Sequence, residues 1–420
     1  MSNISEPYLF AVKNFKAIIA DPQEESDYMK KGYVMPSLGD LTIFLGYRGV
    51  GKSSMLEALR LLSLAARHYE EYDNLNVTFS DKKGCRINES KLKGRFIIND
   101  KEQLMHHIIN KFSKERKFEI ILYSGLKYFG IYGSYNGYTC NLDLVSTKHA
   151  REIIGSEEEP EIDSSIVPFV HLISIKRIFP ATTEKERVET TIEYEAVRRD
   201  GVGAEGENVT NILSWSNVFS DPNTQFWHDI IEDFKKYLSE VARTGEGKEI
   251  LDIKIDIKEQ QLVVNEKAES EGSTKEEAYI PFNYLSMGTR NLISMLLEAS
   301  IAEKLAENGE EVVVAIEEPE IALHPSSLQG LIRILAEIPN RNKNRIRFIL
   351  TTHSLRLISA IVGLMKESAN LDIRMYHFSR QGKYISVDEF GTAQTIYNDI
   401  TFTALRNEIE LIFDILSYGK

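Results

Sequence analysis

The sequence contains little cysteine and no long apolar run. Its 420 residues include two cysteines, Cys85 and Cys140, and no CxxC pair, which argues against a disulfide framework, a zinc site or a zinc hook. No apolar stretch approaches the roughly 20 residues that a transmembrane helix needs. The first residues also lack the basic-then-apolar order of a secretory signal. These absences predict a protein of the reducing cytoplasm with no membrane partner.

The chain also lacks an excess of positive charge, since 63 Asp or Glu residues outnumber 50 Lys or Arg residues. The formal net charge is −13, which disfavours a general nucleic-acid coat. The stretch 82–117 is a local exception, because it holds eleven Lys or Arg residues and only four Asp or Glu residues. A solvated loop and a nucleic-acid footprint both fit such a run, and the sequence leaves both interpretations open.

The pattern along the chain predicts an α/β fold. Hydrophobic residues make up 42% of the chain and charged residues 27%, as in a globular protein with a sizeable core. Strand and helix patterns alternate near both ends, whereas 75–150 has the short aromatic and β-branched runs of an antiparallel lobe. Residues 181–248 are largely helical in pattern and predict an arm that projects from the core.

A glycine-rich turn stands between the strand "LTIFL" and a helical pattern. The turn "GYRGVGKSS" (46–54) fits GxxxxGK[ST]. Glycines let successive backbone N–H groups converge on an anion, and the following helix adds its positive end. Lys52 can then reach the β- and γ-phosphates, and the Ser53 hydroxyl can ligate Mg²⁺. The predicted nucleotide-binding residues are Gly46, Tyr47, Arg48, Gly49, Val50, Gly51, Lys52, Ser53 and Ser54.

The turn alone does not distinguish ATP from GTP. A GTP-binding protein of this type needs a guanine-reading NKxD motif later in the chain, and the sequence contains none. Adenine is therefore favoured by elimination.

Two adjacent carboxylates end the apolar run "VVVAIEEPE" (312–320). Charge at that position is costly unless a cation neutralises it. A magnesium nucleotide supplies the cation: Glu317 would bind Mg²⁺, directly or through water, and Glu318 would orient and deprotonate the attacking water. The alternative, a solvated strand end, needs no second acid.

Two weaker motifs accompany the turn and the acid pair. In "YLSMGTRN" (284–291), Ser286 and Gly288 precede a helix whose first amides can bind a phosphate. In "FILTTHS" (348–354), His353 follows a strand and can contact a γ-phosphate or the attacking water. Each motif alone is more often a plain helix cap or a structural histidine. Their order along the chain favours the functional interpretation.

Together these motifs resemble an ABC-type P-loop ATPase of the branch that contains RecF, SMC, Rad50 and the overcoming-lysogenization-defect (OLD) ATPases, with AAA15- or AAA21-like character. Residues 46–53 match Walker A, "LSMG" the signature, "VVVAIEEPE" Walker B, "ALHP" the D-loop region and "TTHS" the switch histidine. The combination "EEPE..LHP" with "TTHS" is particularly OLD-like. The resemblance covers roughly residues 8–72 and 250–360.

The resemblance implies an ABC-ATPase head with a RecA-like parallel sheet core, an antiparallel β lobe and a helical arm insertion. Residues 1–180 would form the N-terminal part of the head with Walker A and the β lobe, 181–248 the arm, and 249–420 the C-terminal part. ATP and Mg²⁺ would be the cofactors, and hydrolysis would be slow and regulatory. The implied catalytic residues are Glu318, His353 and Lys52, and the implied metal ligands are Ser53 and Glu317.

The resemblance also implies partners. In this family the signature serves the nucleotide of a second copy, so Ser286, Met287 and Gly288 would act in trans in a homodimer or higher homo-oligomer. The chain after His353 is too short for the Toprim nuclease domain of OLD proteins. A separate effector, a nuclease or toxin, is therefore expected, as in two-component bacterial antiphage systems of the PARIS or Septu type. The alternative is a RecF- or Rad50-like repair or recombination ATPase that binds DNA directly.

The sequence departs from the family pattern at three places. Tyr47 and Arg48 precede Gly49, where Walker A of this branch commonly reads GxNGxGKS. Met287 replaces a small residue of the signature. No glutamine Q-loop is evident, and Lys176 and Arg177 occupy the comparable position. The motifs therefore say least about how the two lobes of the head are coupled.

Overall fold

The structure of the protein, a computed structural model, has a mixed α/β architecture with one largely parallel and one largely antiparallel sheet, which confirms the predicted fold class. It describes residues 8–72, 75, 77–80, 115–135, 139–174, 194–195, 212–213, 225–244, 249–256, 261–267, 277–281, 284–342, 345–367 and 371–389.

Six α-helices and twenty strands lie within the described residues. The helices are α1 (Lys52–Tyr72), α2 (Thr147–Ile154), α3 (Gln225–Thr244), α4 (Met287–Glu307), α5 (Pro325–Arg341) and α6 (Leu355–Glu367). The strands are β1 (Tyr8–Lys13), β2 (Met29–Lys30), β3 (Tyr33–Val34), β4 (Ser37–Leu38), β5 (Leu41–Leu45), β6 (Val77–Ser80), β7 (Lys117–Ser124), β8 (Lys127–Tyr135), β9 (Thr139–Leu144), β10 (Glu161–Ile162), β11 (Phe169–Ser174), β12 (Tyr194–Glu195), β13 (Ile212–Leu213), β14 (Glu249–Asp256), β15 (Gln261–Lys267), β16 (Glu277–Pro281), β17 (Val312–Glu317), β18 (Ile346–Thr352), β19 (Ile373–Gln381) and β20 (Tyr384–Glu389).

The core sheet has the strand order β11-β17-β18-β5-β19-β20. All neighbouring strands are parallel except the β19–β20 hairpin. Strands β5 and β18 are buried along their whole length, and β17 along all but its last residue. Such burial explains their continuous apolar sequences, since a parallel sheet is covered on both faces. The carboxyl ends of β17, β18 and β5 therefore meet at one edge.

The antiparallel sheet has the order β2-β3-β1-β7-β8-β9-β6, with β4 added beside β1 and β10 beside β8. Its long members β7, β8 and β9 come from the segment whose aromatic and β-branched runs predicted an antiparallel lobe. A third, three-stranded sheet contains β14, β15 and β16, and its first two strands pair as an antiparallel hairpin.

Helix α1 lies between the two large sheets. One apolar cluster unites buried residues of α1, of the antiparallel sheet and of one face of the core sheet, including Val313 and Ala315. The opposite face, with Val312, Val314 and Ile316, packs against α3, α4, α5 and α6. Because side chains alternate along β17, this single strand contributes to both cores. Helices α1 and α4 therefore cover opposite faces of the core sheet.

Helix α3 is part of the core instead of a projecting arm. Its buried residues recur at helical spacing and pack into the same cluster as α4 and α5; they are Ile230, Phe234, Tyr237, Leu238 and Val241. The sequence predicted an arm, but this apolar stripe needs a partner face, which α4 and α5 provide. Most of the preceding part of the predicted arm lies outside the described residues. So do 82–114 of the basic stretch and the Q-loop candidates Lys176 and Arg177.

Candidate nucleotide-binding and hydrolytic site

The glycine-rich turn joins β5 to α1 in a backbone conformation that needs glycine. Gly46, Gly49 and Gly51 have φ angles of 141°, 81° and 104°. A Cβ on Gly46 would lie 2.2 Å from the carbonyl oxygen of Phe378, and one on Gly51 would lie 2.8 Å from Ile385 Cδ1. A Cβ on Gly49 would meet no atom within 4 Å. The β19–β20 hairpin therefore bounds one side of the turn, and the side of Gly49 is open.

Lys52 lies at the start of α1 with its side chain largely buried. Its ammonium donates to the carbonyl oxygens of Gly46 (2.5 Å) and Tyr47 (2.9 Å). These contacts hold the charge against the turn, where an anion bound by the α1 amides would meet it. The hydroxyl of Ser54 accepts from the amide of Ala17 (3.4 Å), so it anchors the segment after β1. Ser53 is half-buried beside it.

The acid pair lies at the same sheet edge as the turn. Glu317 is opposite Thr351 in the β17–β18 register, and Thr352 is opposite Leu45 in the β18–β5 register. The turn begins directly after Leu45, so one strand, β18, separates it from the acids. The structure thus brings together the carboxylates of 317–318 and the turn at 46–52, which are far apart in the sequence.

Glu318 and His353 form a close pair at this edge. Nδ1 of His353 lies 3.4 Å from Oε1 of Glu318, and the Glu318 side chain is 6% exposed whereas that of His353 is 37% exposed. The amide of Glu318 donates to Thr351 O (2.9 Å). Glu318 has φ of 50°, a conformation that a residue with a Cβ adopts at a cost and that often marks a functional site. The backbone therefore turns the carboxylate toward the histidine.

Glu320 is a site residue that the sequence interpretation missed. One of its oxygens accepts from Thr352 Oγ1 (2.6 Å), next to His353 in the chain. Burial raises the pKa of the Glu320 carboxyl and the Glu318 charge adds to the shift, whereas the Thr352 hydrogen bond and His353 oppose it. The third acid in "EEPE" was the available signal, but its partner is 32 positions later, beyond the reach of a local pattern.

His377 is a second residue near the turn that the motifs did not indicate. It lies on β19 opposite Leu45, the residue before the turn. Burial lowers the pKa of His377, and the neighbouring positive charge of Lys52 adds to the effect, whereas Asp388 opposes it. No motif signals this position, because it depends on strand pairing.

The signature segment begins α4 and packs on the turn that follows β17. The Ser286 hydroxyl accepts from the amide of Thr289 (3.2 Å), as an N-cap does. A Cβ on Gly288 would lie 2.3 Å from the carbonyl oxygen of Ala322. Asn291 Nδ2 donates to Ile321 O (2.9 Å). These contacts fix the start of α4 to the D-loop region, while Ser286 itself is exposed and Met287 half-buried.

The donors at the sheet edge suit magnesium. Ser53 and Glu317 offer a hydroxyl and a carboxylate, the oxygen ligands that Mg²⁺ prefers, and Mg²⁺ usually combines one or two carboxylates with substrate phosphates. Among the described residues, no group of three or more His, Cys, Asp or Glu side chains is placed to hold a metal ion.

No helix in the described part of the chain has the length and apolarity to cross a membrane.

Comparison with known proteins supplies the family. A profile of the family described as AAA ATPase domain matches residues 10–358. A search of the curated proteins finds no match.

Several solved structures of SMC heads are similar to this chain. An SMC head bound to the C-terminal winged-helix domain of ScpA is 11% identical, with a TM-score of 0.48 and coverage of 92% of this chain and 98% of that chain. The SMC head domain from Thermotoga maritima is 12% identical, with a TM-score of 0.42 and coverage of 92% and 100%. An SMC head with an extended coiled coil from Pyrococcus furiosus is 10% identical, with a TM-score of 0.46 and coverage of 98% and 100%.

The family profile spans most of the length of this chain. The chain therefore belongs to the AAA ATPase domain family and is an ATP-binding P-loop ATPase.

Proposed function

We propose that this ATPase is a molecular switch that pairs two copies around ATP and separates them on hydrolysis. The observation that carries the proposal is the meeting of the glycine-rich turn, the acid pair and His353 at one edge of the core sheet. Phosphates held at the turn would lie within reach of a carboxylate base, as hydrolysis requires.

Each residue at the edge has a distinct task. The amides of the turn and of α1, together with Lys52, bind the phosphates. Ser53 and Glu317 would hold Mg²⁺, which neutralises phosphate charge when bound. Glu318 accepts a proton from the water whose oxygen bonds to the γ-phosphorus, while the bond from that phosphorus to the β–γ bridging oxygen breaks. His353, paired with Glu318, orients the base and the γ-phosphate.

The positions of the two phosphate-binding helices support pairing of two copies. The turn leads into α1 and the signature into α4, and these helices cover opposite faces of the core sheet. The α4 start is also fixed to Ile321 and Ala322, so it is not free to move to the turn of its own chain. Exposed Ser286 and exposed Tyr47 are then available to a second copy. ATP bridging the two surfaces would couple pairing to hydrolysis.

The proposal extends to the control of a separate effector, a nuclease or toxin, in bacterial antiphage defence. Its support is the resemblance of "EEPE..LHP" and "TTHS" to OLD ATPases and the logic that a nucleotide-gated pair must act on something. Slow turnover suits this role, since a switch must persist in its bound state. Capture of a nuclease or toxin encoded beside this chain is the expected co-purification result.

The central experiment uses Glu318→Gln, which keeps the side-chain size and removes the base. We expect ATP binding to persist, hydrolysis to fall about 100-fold or more, and the size-exclusion mass to double on addition of Mg·ATP. Glu337→Gln, whose side chain is 46% exposed on α5 and pairs with Arg341, is the matched control and should behave as the wild type. An unchanged mass with ATP bound would contradict pairing, and undiminished hydrolysis would contradict the role of Glu318.

A further inference from the structure

The turn that carries His353 is held by a small hydrogen-bond network. The hydroxyl of Thr352 donates to Glu320 Oε1 (2.6 Å) and accepts from the amide of Ser354 (2.9 Å). The residues on both sides of His353 thus belong to one network, and its acceptor comes from the turn after β17. His353 itself lies 3.4 Å from Glu318 on that same turn.

Glu320 determines the direction of the Thr352 hydroxyl. A hydroxyl has one proton to donate and two lone pairs to accept with. Because the proton points to Glu320, a lone pair faces the amide of Ser354. Without an acceptor at Glu320, the hydroxyl would be free to rotate, and the constraint on the backbone after His353 would weaken.

The energetic cost of burying the Glu320 carboxyl indicates that this residue does more than stabilise the turn. Oε2 of Glu320 is buried and has no hydrogen-bond partner within the described part of the chain, and a buried carboxyl without full hydrogen bonding is destabilising. The turn after β17 already has other anchors: the amides of Ile321 and Leu323 bond within it, and Asn291 holds Ile321 O. A buried acid is therefore a costly way to fix this turn alone.

We propose that Glu320 is a positioning residue of the hydrolytic site: through Thr352 it fixes the backbone around His353 and thereby sets the approach of the imidazole to Glu318. The inference rests on the proposed function, because it assigns Glu320 a part in the same hydrolysis. Glu320 acts through its neighbours and needs no contact with the nucleotide.

The test compares variants that remove or retain the network. Glu320→Ala removes the acceptor and Thr352→Val the hydroxyl. Each should lower kcat for ATP about tenfold, as loss of an orienting partner typically does, and leave KM within about twofold. Because both break one network, the double variant should lose no more than either single one. Glu320→Gln and Thr352→Ser retain an acceptor and a hydroxyl and should recover most of kcat.

A second readout does not require hydrolysis. The imidazole carbon resonances of the nine histidines can be observed with labelled histidine, and the His353 signal is assigned by its loss in His353→Ala. Glu320→Ala and Thr352→Val should shift or broaden that signal, whereas Thr352→Ser and the surface control Glu337→Gln should leave it in place. Thermal unfolding of each variant verifies that it is folded.

The outcomes separate the two proposals. A wild type that binds ATP without hydrolysing it contradicts the proposed function, while the histidine signal still tests the network. Unchanged kcat with an unmoved His353 signal, independent losses that multiply in the double variant, or an effect on KM alone would each overturn the positioning role of Glu320.

Discussion

Among single residues, two glycines of the glycine-rich turn can be compared directly. Gly46 and Gly49 both have positive φ, but they differ in surroundings. A Cβ on Gly46 would meet the backbone of β19, whereas a Cβ on Gly49 would meet open space. The two positions therefore separate the cost of backbone conformation from the cost of a collision.

We predict that Gly46→Ala destabilises the protein by about 2 kcal/mol more than Gly49→Ala, which carries conformational strain alone. Urea unfolding of the two variants, compared at equal m-values, measures the difference. Equal losses would mean that the contact with Phe378 relaxes freely.

The sequence predicted the residues whose chemistry follows from local spacing. The glycines, Lys52, Glu317 and Glu318 lie in contiguous motifs, and the structure places their segments at one sheet edge. Their catalytic roles stay predictions. Glu320 and His377 were missed because their importance depends on partners in other strands, Thr352 and Leu45.

Among the secondary-structure elements, the contact of α3 with α4 and α5 is where we expect the stability to depend on pH. Glu303 of α4 accepts hydrogen bonds from Tyr237 of α3 and from Asn342 at the end of α5 (2.8 Å). Burial raises the pKa of Glu303 above its ordinary value of 4.5, with the charge of Asp233 adding to the shift. The Asn342 hydrogen bond and the charges of Arg341 and Lys236 act in the opposite direction.

Because the folded state binds the proton more tightly than the unfolded state, the stabilising contribution of Glu303 is complete below its unfolded pKa. It is lost as the pH rises through its folded pKa. We predict that Glu303→Gln gains stability relative to the wild type as the pH rises from 4 to 7, by about 1.4 kcal/mol for each unit of pKa elevation. Urea midpoints measured across this range test it, and parallel pH curves for the two proteins would contradict it.

Element boundaries were predictable where the apolar period was clear. The strands β5, β17 and β18 and the helices α1 and α4 lie where the pattern predicted them. The helical pattern predicted α3 as a helix, but not its packing against α4 and α5, which buries Phe234 and Tyr237. Amphipathic spacing gives the face of a helix but not the element that covers it.

For the whole molecule, the separation of the turn and the signature onto opposite faces has a quantitative consequence for mixed oligomers. Lys52→Ala disables the turn and Ser286→Arg blocks the signature, so each variant alone should lack hydrolysis. In a 1:1 mixture, half of the symmetric pairs combine both variants, and each such pair has one intact site. Activity should therefore recover to about a quarter of the wild-type value.

The matched control mixes Lys52→Ala with the double variant Lys52→Ala, Ser286→Arg, which offers no intact site in any pairing. Steady-state phosphate release measures both mixtures. No recovery in the first mixture would show that turn and signature serve the same chain.

The profile match over residues 10–358 confirms an AAA-type P-loop ATPase, and the two large sheets confirm the α/β architecture. The OLD branch and the two-component defence role stay predictions. The domain boundaries at 180 and 248 stay predictions, as does nucleic-acid binding at 82–117. The motifs did not predict which face of the core sheet each helix covers, because a motif gives residue types and not the packing of the helix that follows.

The position of α1 between two sheets has a mechanical consequence. Its N-terminus would hold the phosphates, and its buried side chains interlock with both the antiparallel sheet and the core sheet. Close-packed interiors transmit displacement with little compression. If α1 tilts when the triphosphate is cleaved, the antiparallel sheet must therefore move with it. We expect a fluorophore placed beside β8 and β10 to report the nucleotide state although it is far from the nucleotide.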